Sequence, residues 1–244
     1  MMRIGIIGAM EEELCIIRKI CSINIKNIKN TYKTYFGVLN NVKILLVESG
    51  IGKVLSAISA AYIIQNFHPH LIINVGVSGS LKKTAKIGSI VLSKKFCYYD
   101  VDVSAFGHNI GQIPGGPKYY FASQEFIKLI KKIFIFSNLK FKYGLFVSGD
   151  TFIYENNITL ALKIKKFFPK AYAVDMETAS IAQVCQKFLV PYVSIRSISD
   201  YVFNKPEKSF KKFCSMSVYR YSIVILKILK KLNFYYIKNK NLFK

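Results

Sequence analysis

Apolar residues along the chain follow two alternating patterns. Apolar runs at 3–8, 71–75, 142–147, 171–174 and 191–195 read as strands, and the run at 71–75 is continuous, as in a strand buried on both faces. Between the runs, apolar positions recur at helical spacing. The segment 11–20 puts Leu14, Ile17 and Cys21 on one face, and 53–67, 124–136 and 157–167 read as further helices. So do the stretch from Asp175-Met-Glu177 through 187 and the stretch from 207 to about 232. Segments 31–39 and 42–48 form a hairpin turned at Asn40-Asn41, and 90–93 and 96–99 are short strands. Gly-rich turns punctuate 49–52 and 76–79, and His68-Pro69-His70 breaks the helix before it. Residues 105–118 hold four glycines and two prolines and predict a long loop of the functional or interfacial kind.

Strands alternate with helices without a linker, a repeat or a shift in composition. The expectation is one α/β domain over 1–235, with three α/β/α layers around a mixed, mostly parallel sheet, and a basic tail at 236–244. The 244 residues suffice for a sizeable core, and 52% hydrophobic against 20% charged residues excludes global disorder. Mean hydropathy is +0.27, yet no apolar run reaches the roughly 18 residues of a membrane span. The apolar N-terminus meets Glu11–Glu13 at once, so it reads as a first strand, not a signal peptide, and the protein is expected in the cytoplasm without membrane attachment. Five cysteines without a CxxC pair read as reduced, buried thiols, and His68, His70 and His108 make no ligand set with them, so no metal site is expected. The net charge of +23 points formally toward nucleic acid. The lysines are dispersed, however, and Lys, Asn, Ile, Phe and Tyr are all abundant, as codons rich in A and T would give. No specific nucleic-acid partner is expected.

In an open α/β sheet, ligands bind beyond the carboxyl ends of the strands. Polar or glycine-rich residues stand at several such ends: Gly8–Glu13, Ser49–Gly52, Gly76–Gly79, Ser148–Asp150 and Ser197–Asp200, with Asp175–Glu177 at a strand-to-helix junction. Each alone is ordinary turn or capping chemistry. Together they would face one crevice. The pattern does not choose among Glu11, Glu12 and Glu13, and it leaves Asp200 and Glu177 equally open to capping roles. Arg196 beside them would hold neighbouring carboxylates ionised and orient a water. No GxxxxGK[ST] surrounds Lys53, so a P-loop is excluded.

The segments IGIIGAMEEE (4–13), SGIGKV (49–54), DVSAFG (102–107), QIPGGP (112–117), VSGDTFI (147–153), VDMETASIAQVC (174–185) and VPYVSIRSISD (190–200) closely resemble those of bacterial 5′-methylthioadenosine/S-adenosylhomocysteine nucleosidases, in order and spacing, over about residues 2–235. The resemblance implies the fold of nucleoside phosphorylases and hydrolases, and cleavage of an adenine N-glycosidic bond without a cofactor. It implies Asp200 as the acid that protonates adenine, Glu13 as the base on the attacking water, and Arg196 as the residue placing that water. Ser199 would orient Asp200, Glu177 would hold the ribose hydroxyls, and Met176 would pack on the ribose. Phe152 and Ile153 would bind adenine, and Gly79 of the second glycine turn would also contact the substrate. Met10, Ile51 and Phe210 would wall the base and 5′-thio group. Phe106 and Pro114 would reach the neighbouring subunit's site, which implies a homodimer.

Two departures stand out. Val77 replaces a usual serine of the ribose and water network, and Asp175 replaces a usual glutamate. A phosphate-dependent phosphorylase is the nearest alternative, but three glutamates at the end of the first strand would repel phosphate. An aminofutalosine hydrolase would share these motifs.

Overall fold

A computed structural model of the chain describes residues 1–21, 25–27, 33–203 and 210–238; of 25–27, 155, 210–215, 233 and 235–238 it describes the backbone alone. The start of the expected hairpin at 31, the start of the last helix at 207 and the end of the tail from 239 lie outside the described residues.

Among the described residues ten strands form one sheet. They are β1 (Met2–Gly8), β2 (Ile25–Asn27), β3 (Lys33–Leu39), β4 (Val42–Glu48), β5 (Leu71–Ser80), β6 (Ile90–Tyr98), β7 (Tyr120–Phe121), β8 (Phe141–Ser148), β9 (Ala171–Asp175) and β10 (Tyr192–Tyr201). The helices are α1 (Glu11–Ile20), α2 (Lys53–Phe67), α3 (Gln124–Phe136), α4 (Ile158–Phe167), α5 (Thr178–Lys187) and α6 (Phe210–Lys238). The three layers are present: α6 packs on α1, α3 and β10 on one side, and α2 packs on α5 on the other. The sheet is mixed, and its two longest pairings, β10–β5 and β6–β8, are parallel.

The hairpin turns where its dipeptide predicts. Asn40 and Asn41 both take positive φ, 48° and 60°, which matches the right-handed twist of the flanking strands. Several boundaries differ from expectation. The glycine segment 76–79 is not a turn but the end of β5, and the last core strand runs to Tyr201 instead of Ile195. The cause is mutual pairing, since β5 and β10 run parallel from Ile72↔Tyr192 to Ser80↔Tyr201. Segments 90–93 and 96–99 merge into one strand with a bulge between Ser93 and Lys95. The short strands β2 and β7 carry too few residues for a periodic signal. The last helix continues past Leu232 to Lys238.

The sheet closes on itself. Through β10, β6, β8 and β9 the pairing returns to β5, so five strands make a small barrel, while β1, β4, β3 and β2 extend away as a wing. β5 is the branch point. Its first half pairs β1 up to Asn74, and its end pairs β9 from Gly79. Along 75–78 that edge of β5 has neither neighbour, and a crevice opens between the diverging ends of β1 and β9.

Candidate active site

A cavity of about 210 Å³ occupies this crevice. Among the residues expected at the site, Met10, Glu13, Ile51, Gly79, Phe152, Ile153, Met176, Glu177, Arg196, Ser199 and Asp200 all line it. Phe106 and Pro114 do not. They sit on the exposed loop, Phe106 with 82% of its surface free. Phe210 opens α6, and its side chain lies outside the described residues.

Glu13 enters from the first turn of α1. Its Oε2 accepts hydrogen bonds from the backbone N–H of Ala9 (2.7 Å) and Met10 (3.3 Å). Its Oε1 accepts from Val77 N–H at 2.9 Å. The β5 edge that has lost β1 as a partner thus finds a carboxylate instead. Glu11 and Glu12 are exposed, so folding makes the choice among three glutamates that the sequence leaves open. Burial raises the Glu13 pKa, against Arg196 and the three N–H donors, which favour the charged form. Tyr221 of α6 fixes the helix behind it by donating to the Glu13 backbone oxygen at 2.7 Å.

Arg196 is fully buried on β10. Its Nε and Nη2 donate to Asn74 Oδ1 (3.2 and 2.9 Å), Nη2 also to Glu177 Oε2 (3.1 Å), and Nη1 to the Val77 oxygen (2.8 Å). Protein acceptors therefore take four of its five N–H groups. Gly76 makes this approach possible: a Cβ there would lie 2.8 Å from Arg196 Nη1 and would run into Glu13 Oε1. Sequence reasoning missed Asn74. Its signal was a lone amide in an apolar strand, and the amide also donates to the Ile7 oxygen at 3.0 Å.

Val77 serves this network through its backbone, with N–H to Glu13 and C=O to Arg196. Replacing its side chain leaves both bonds in place. Asp175 is buried, accepts from Ser148 Oγ of β8 (2.6 Å), Thr178 Oγ1 (2.8 Å) and the N–H groups of Glu177 and Thr178 (both 3.1 Å), and lies 3.8 Å from Arg196 Nε. It holds the start of α5, so that Glu177 points at Arg196. Burial pushes the Glu177 pKa up to about 7, with Arg196 opposing and Asp175 and Glu13 adding to the rise.

Asp200 sits across the cavity in different electrostatics. Burial raises its pKa, and only the Ser199 hydroxyl, donating to Oδ1 at 2.5 Å, works against that. No cation pairs with it among the described residues. Gly79 leaves space for its free oxygen, since a Cβ there would stand 3.2 Å from Oδ2. One carboxyl is thus wired to a cation and N–H donors, and the other, among the described residues, meets only a hydroxyl donor.

A family model described as the phosphorylase superfamily matches residues 3–230. A 5′-methylthioadenosine/S-adenosylhomocysteine nucleosidase of Buchnera aphidicola from Acyrthosiphon pisum (strain Tuc7) is 43% identical over 232 residues, covering 95% of this chain and 99% of the relative. The chain belongs to this nucleosidase family of the phosphorylase superfamily. A solved structure of the family, the Neisseria meningitidis nucleosidase in complex with methylthio-immucillin-A, aligns with a TM-score of 0.88 at 33% identity, covering 95% of this chain and all of that one. A futalosine hydrolase of Helicobacter pylori aligns equally well, with a TM-score of 0.88, 32% identity and coverage of 94% and 98%. The nucleosidase family therefore shares its fold with a second hydrolase, and the fold alone does not choose between them.

Proposed function

We propose that this chain hydrolyses the N-glycosidic bond of 5′-methylthioadenosine and S-adenosylhomocysteine, releasing adenine and the thioribose product. The observation that carries the reading is the pair of carboxylates in opposite environments within one cavity. Asp200, buried without a cation, delivers its proton to N7 of the purine as the C1′–N9 bond breaks and the bonding electrons pass to the base. Glu13, held as an acceptor by three N–H groups, takes a proton from the water that attacks C1′. Arg196 fixes Glu177 and the β5 edge around that water, and Glu177 accepts the ribose hydroxyls and stabilises the cationic sugar. Phe152 and Ile153 bind the base, Met176 packs on the sugar, and Met10 and Ile51 wall the base and thio group. Phe210 completes the apolar wall on the family resemblance.

Water is favoured over phosphate by the inventory of charge. Among the described residues Arg196 is the one cation lining the cavity, and four of its five N–H groups are committed to protein acceptors. A phosphate would meet Glu13 and Glu177 with no free cation among the described residues. The test is adenine release from methylthioadenosine with and without phosphate; strict dependence on phosphate would overturn the reading. The likeness to a futalosine hydrolase supports a second substrate, and kcat/KM on aminofutalosine beside methylthioadenosine ranks the two.

The same proposal makes the protein a homodimer with a shared site. Val54, Leu55 and Ile58 expose an apolar stripe on α2 next to Ile51 of the cavity, and Phe106 is nearly bare. A second copy covering this face would bring Phe106 and Pro114 to its neighbour's 5′-thio pocket. Light scattering that returns a monomer at micromolar concentration would refute it. Free buried thiols at Cys21, Cys97 and Cys185 support a reducing, cytoplasmic setting. Among the described residues no helix is long and apolar enough to cross a membrane.

A further inference from the structure

The helix α2 starts without a cap of its own. Its Ncap residue is Gly52, at φ 100°, and its first turn holds no acidic residue. The N–H groups of a first turn need acceptors from elsewhere. One comes from across the molecule: Asp150, just past β8, accepts Lys53 N–H on Oδ1 at 2.8 Å. The N–H of Asp150 in turn donates to Asp100 Oδ2 at 3.1 Å. The same Asp100 oxygen accepts from Lys53 Nζ at 2.6 Å, and Nζ lies 3.6 Å from Asp150 Oδ2. Three side chains and two backbone N–H groups thus close a ring over the start of α2 and the ends of β6 and β8.

None of these three residues lines the cavity, but Lys53 and Asp150 flank segments that do, and Asp100 ties the two together. Immediately before Lys53, Gly52 donates its N–H to Glu177 Oε1 at 3.2 Å, and Ile51 is a wall. Immediately after Asp150, Thr151, Phe152 and Ile153 form the opposite wall. That segment is tied down again by Tyr99, whose hydroxyl donates to the Thr151 oxygen at 2.6 Å.

We propose that Asp150, with Asp100 and Lys53, is a positioning residue that staples the two walls of the active-site cavity together and so sets substrate affinity. The inference rests on the site reading given above. The Asp150 side chain is 49% exposed, so the ion-pair arms of the ring are screened and weak. The backbone bonds accepted by the carboxylates carry the geometry, as capping bonds do. An amide at 150 retains the acceptor for Lys53 N–H; a methyl group does not.

The experiment compares Asp150→Ala and Asp150→Asn with the wild type in adenine-release kinetics and in hydrogen exchange of the amides at 50–56. The walls hold the substrate but move no proton, so the loss falls on KM. Asp150→Ala raises KM about tenfold, the value of one lost hydrogen bond of about 1.4 kcal/mol, with kcat within about threefold. Exchange at 50–56 accelerates. Asp150→Asn restores KM to within about threefold of wild type. A wild-type KM in Asp150→Ala overturns the proposal even if the melting temperature falls, because a purely structural cap would lower stability alone. Equal damage in Asp150→Asn overturns it too. Should Asp150→Ala fail to fold, Asp100→Ala, which removes the acceptor of the Asp150 N–H, must raise KM in the same direction. If the wild type releases no adenine, the assigned reaction has failed, and adenine affinity by calorimetry with the same exchange measurement judges the staple separately.

Discussion

Glu13→Gln separates the chemistry of this site from its architecture. The carboxylate accepts three backbone N–H groups, two on Oε2 and one on Oε1. Glutamine has one carbonyl oxygen. Its better orientation turns that oxygen to Ala9 and Met10 and leaves the amide NH2 facing the Val77 N–H, donor against donor. One buried donor without an acceptor costs about 1–3 kcal/mol. Removing a charge whose burial is unfavourable offsets part of that cost, so the protein stays folded. The barrier rises by more. Loss of a positioned general base costs about 10²- to 10⁴-fold, or about 3–5 kcal/mol, in kcat. The assay is adenine release at saturating methylthioadenosine, with urea unfolding of the same preparations. A kcat within tenfold of wild type in a folded variant would refute the role of Glu13 as base. The pH profile adds a second criterion. Glu13 must be ionised, and its raised pKa puts the acid limb of kcat/KM above the usual carboxylate range. Asp200 must be protonated and supplies the alkaline limb. Burial raises its pKa, and among the described residues only the Ser199 hydroxyl opposes that rise. Glu13→Gln abolishes the acid limb, and Asp200→Asn the alkaline one.

Glu177→Gln changes how stability depends on pH. The folded pKa of about 7 lies above the ordinary 4.5, so the stability it contributes is complete below 4.5 and is lost as pH rises through 7. The change amounts to about 3 kcal/mol, and the variant sheds it. Urea unfolding at about pH 4 and about pH 8 then shows a flatter profile in the variant, and parallel profiles would contradict the assignment. Gly76→Ala forces a methyl group between Glu13 and Arg196. We expect it to cost about 1–3 kcal/mol of stability and at least about tenfold in kcat, and near-normal turnover would show that the two groups do not need this contact.

Local signals in the chain suffice for the longer helices and strands, the first hairpin and most of the strand ends where chemistry gathers. These are local matters. Apolar periodicity reports which face of an element is buried, and Asn40-Asn41 carries its turn in its own backbone preference. The resemblance of seven segments implies roles, and most of the residues it names line the cavity. Whatever depends on pairing between distant strands is set by the folded arrangement. Gly76–Gly79 looks like a turn in sequence because glycines usually make turns, but here they admit two side chains to a strand edge. Asn74 looked like a stray amide until Arg196, far along the chain, needed an acceptor. Val77, a defect on paper, holds both Glu13 and Arg196 through atoms that every residue possesses. Which of three adjacent glutamates is buried, and which carboxyl lacks a cation, are questions of distance between elements. Only the closing of the sheet around β5, and its parting from β1 after Asn74, answers them.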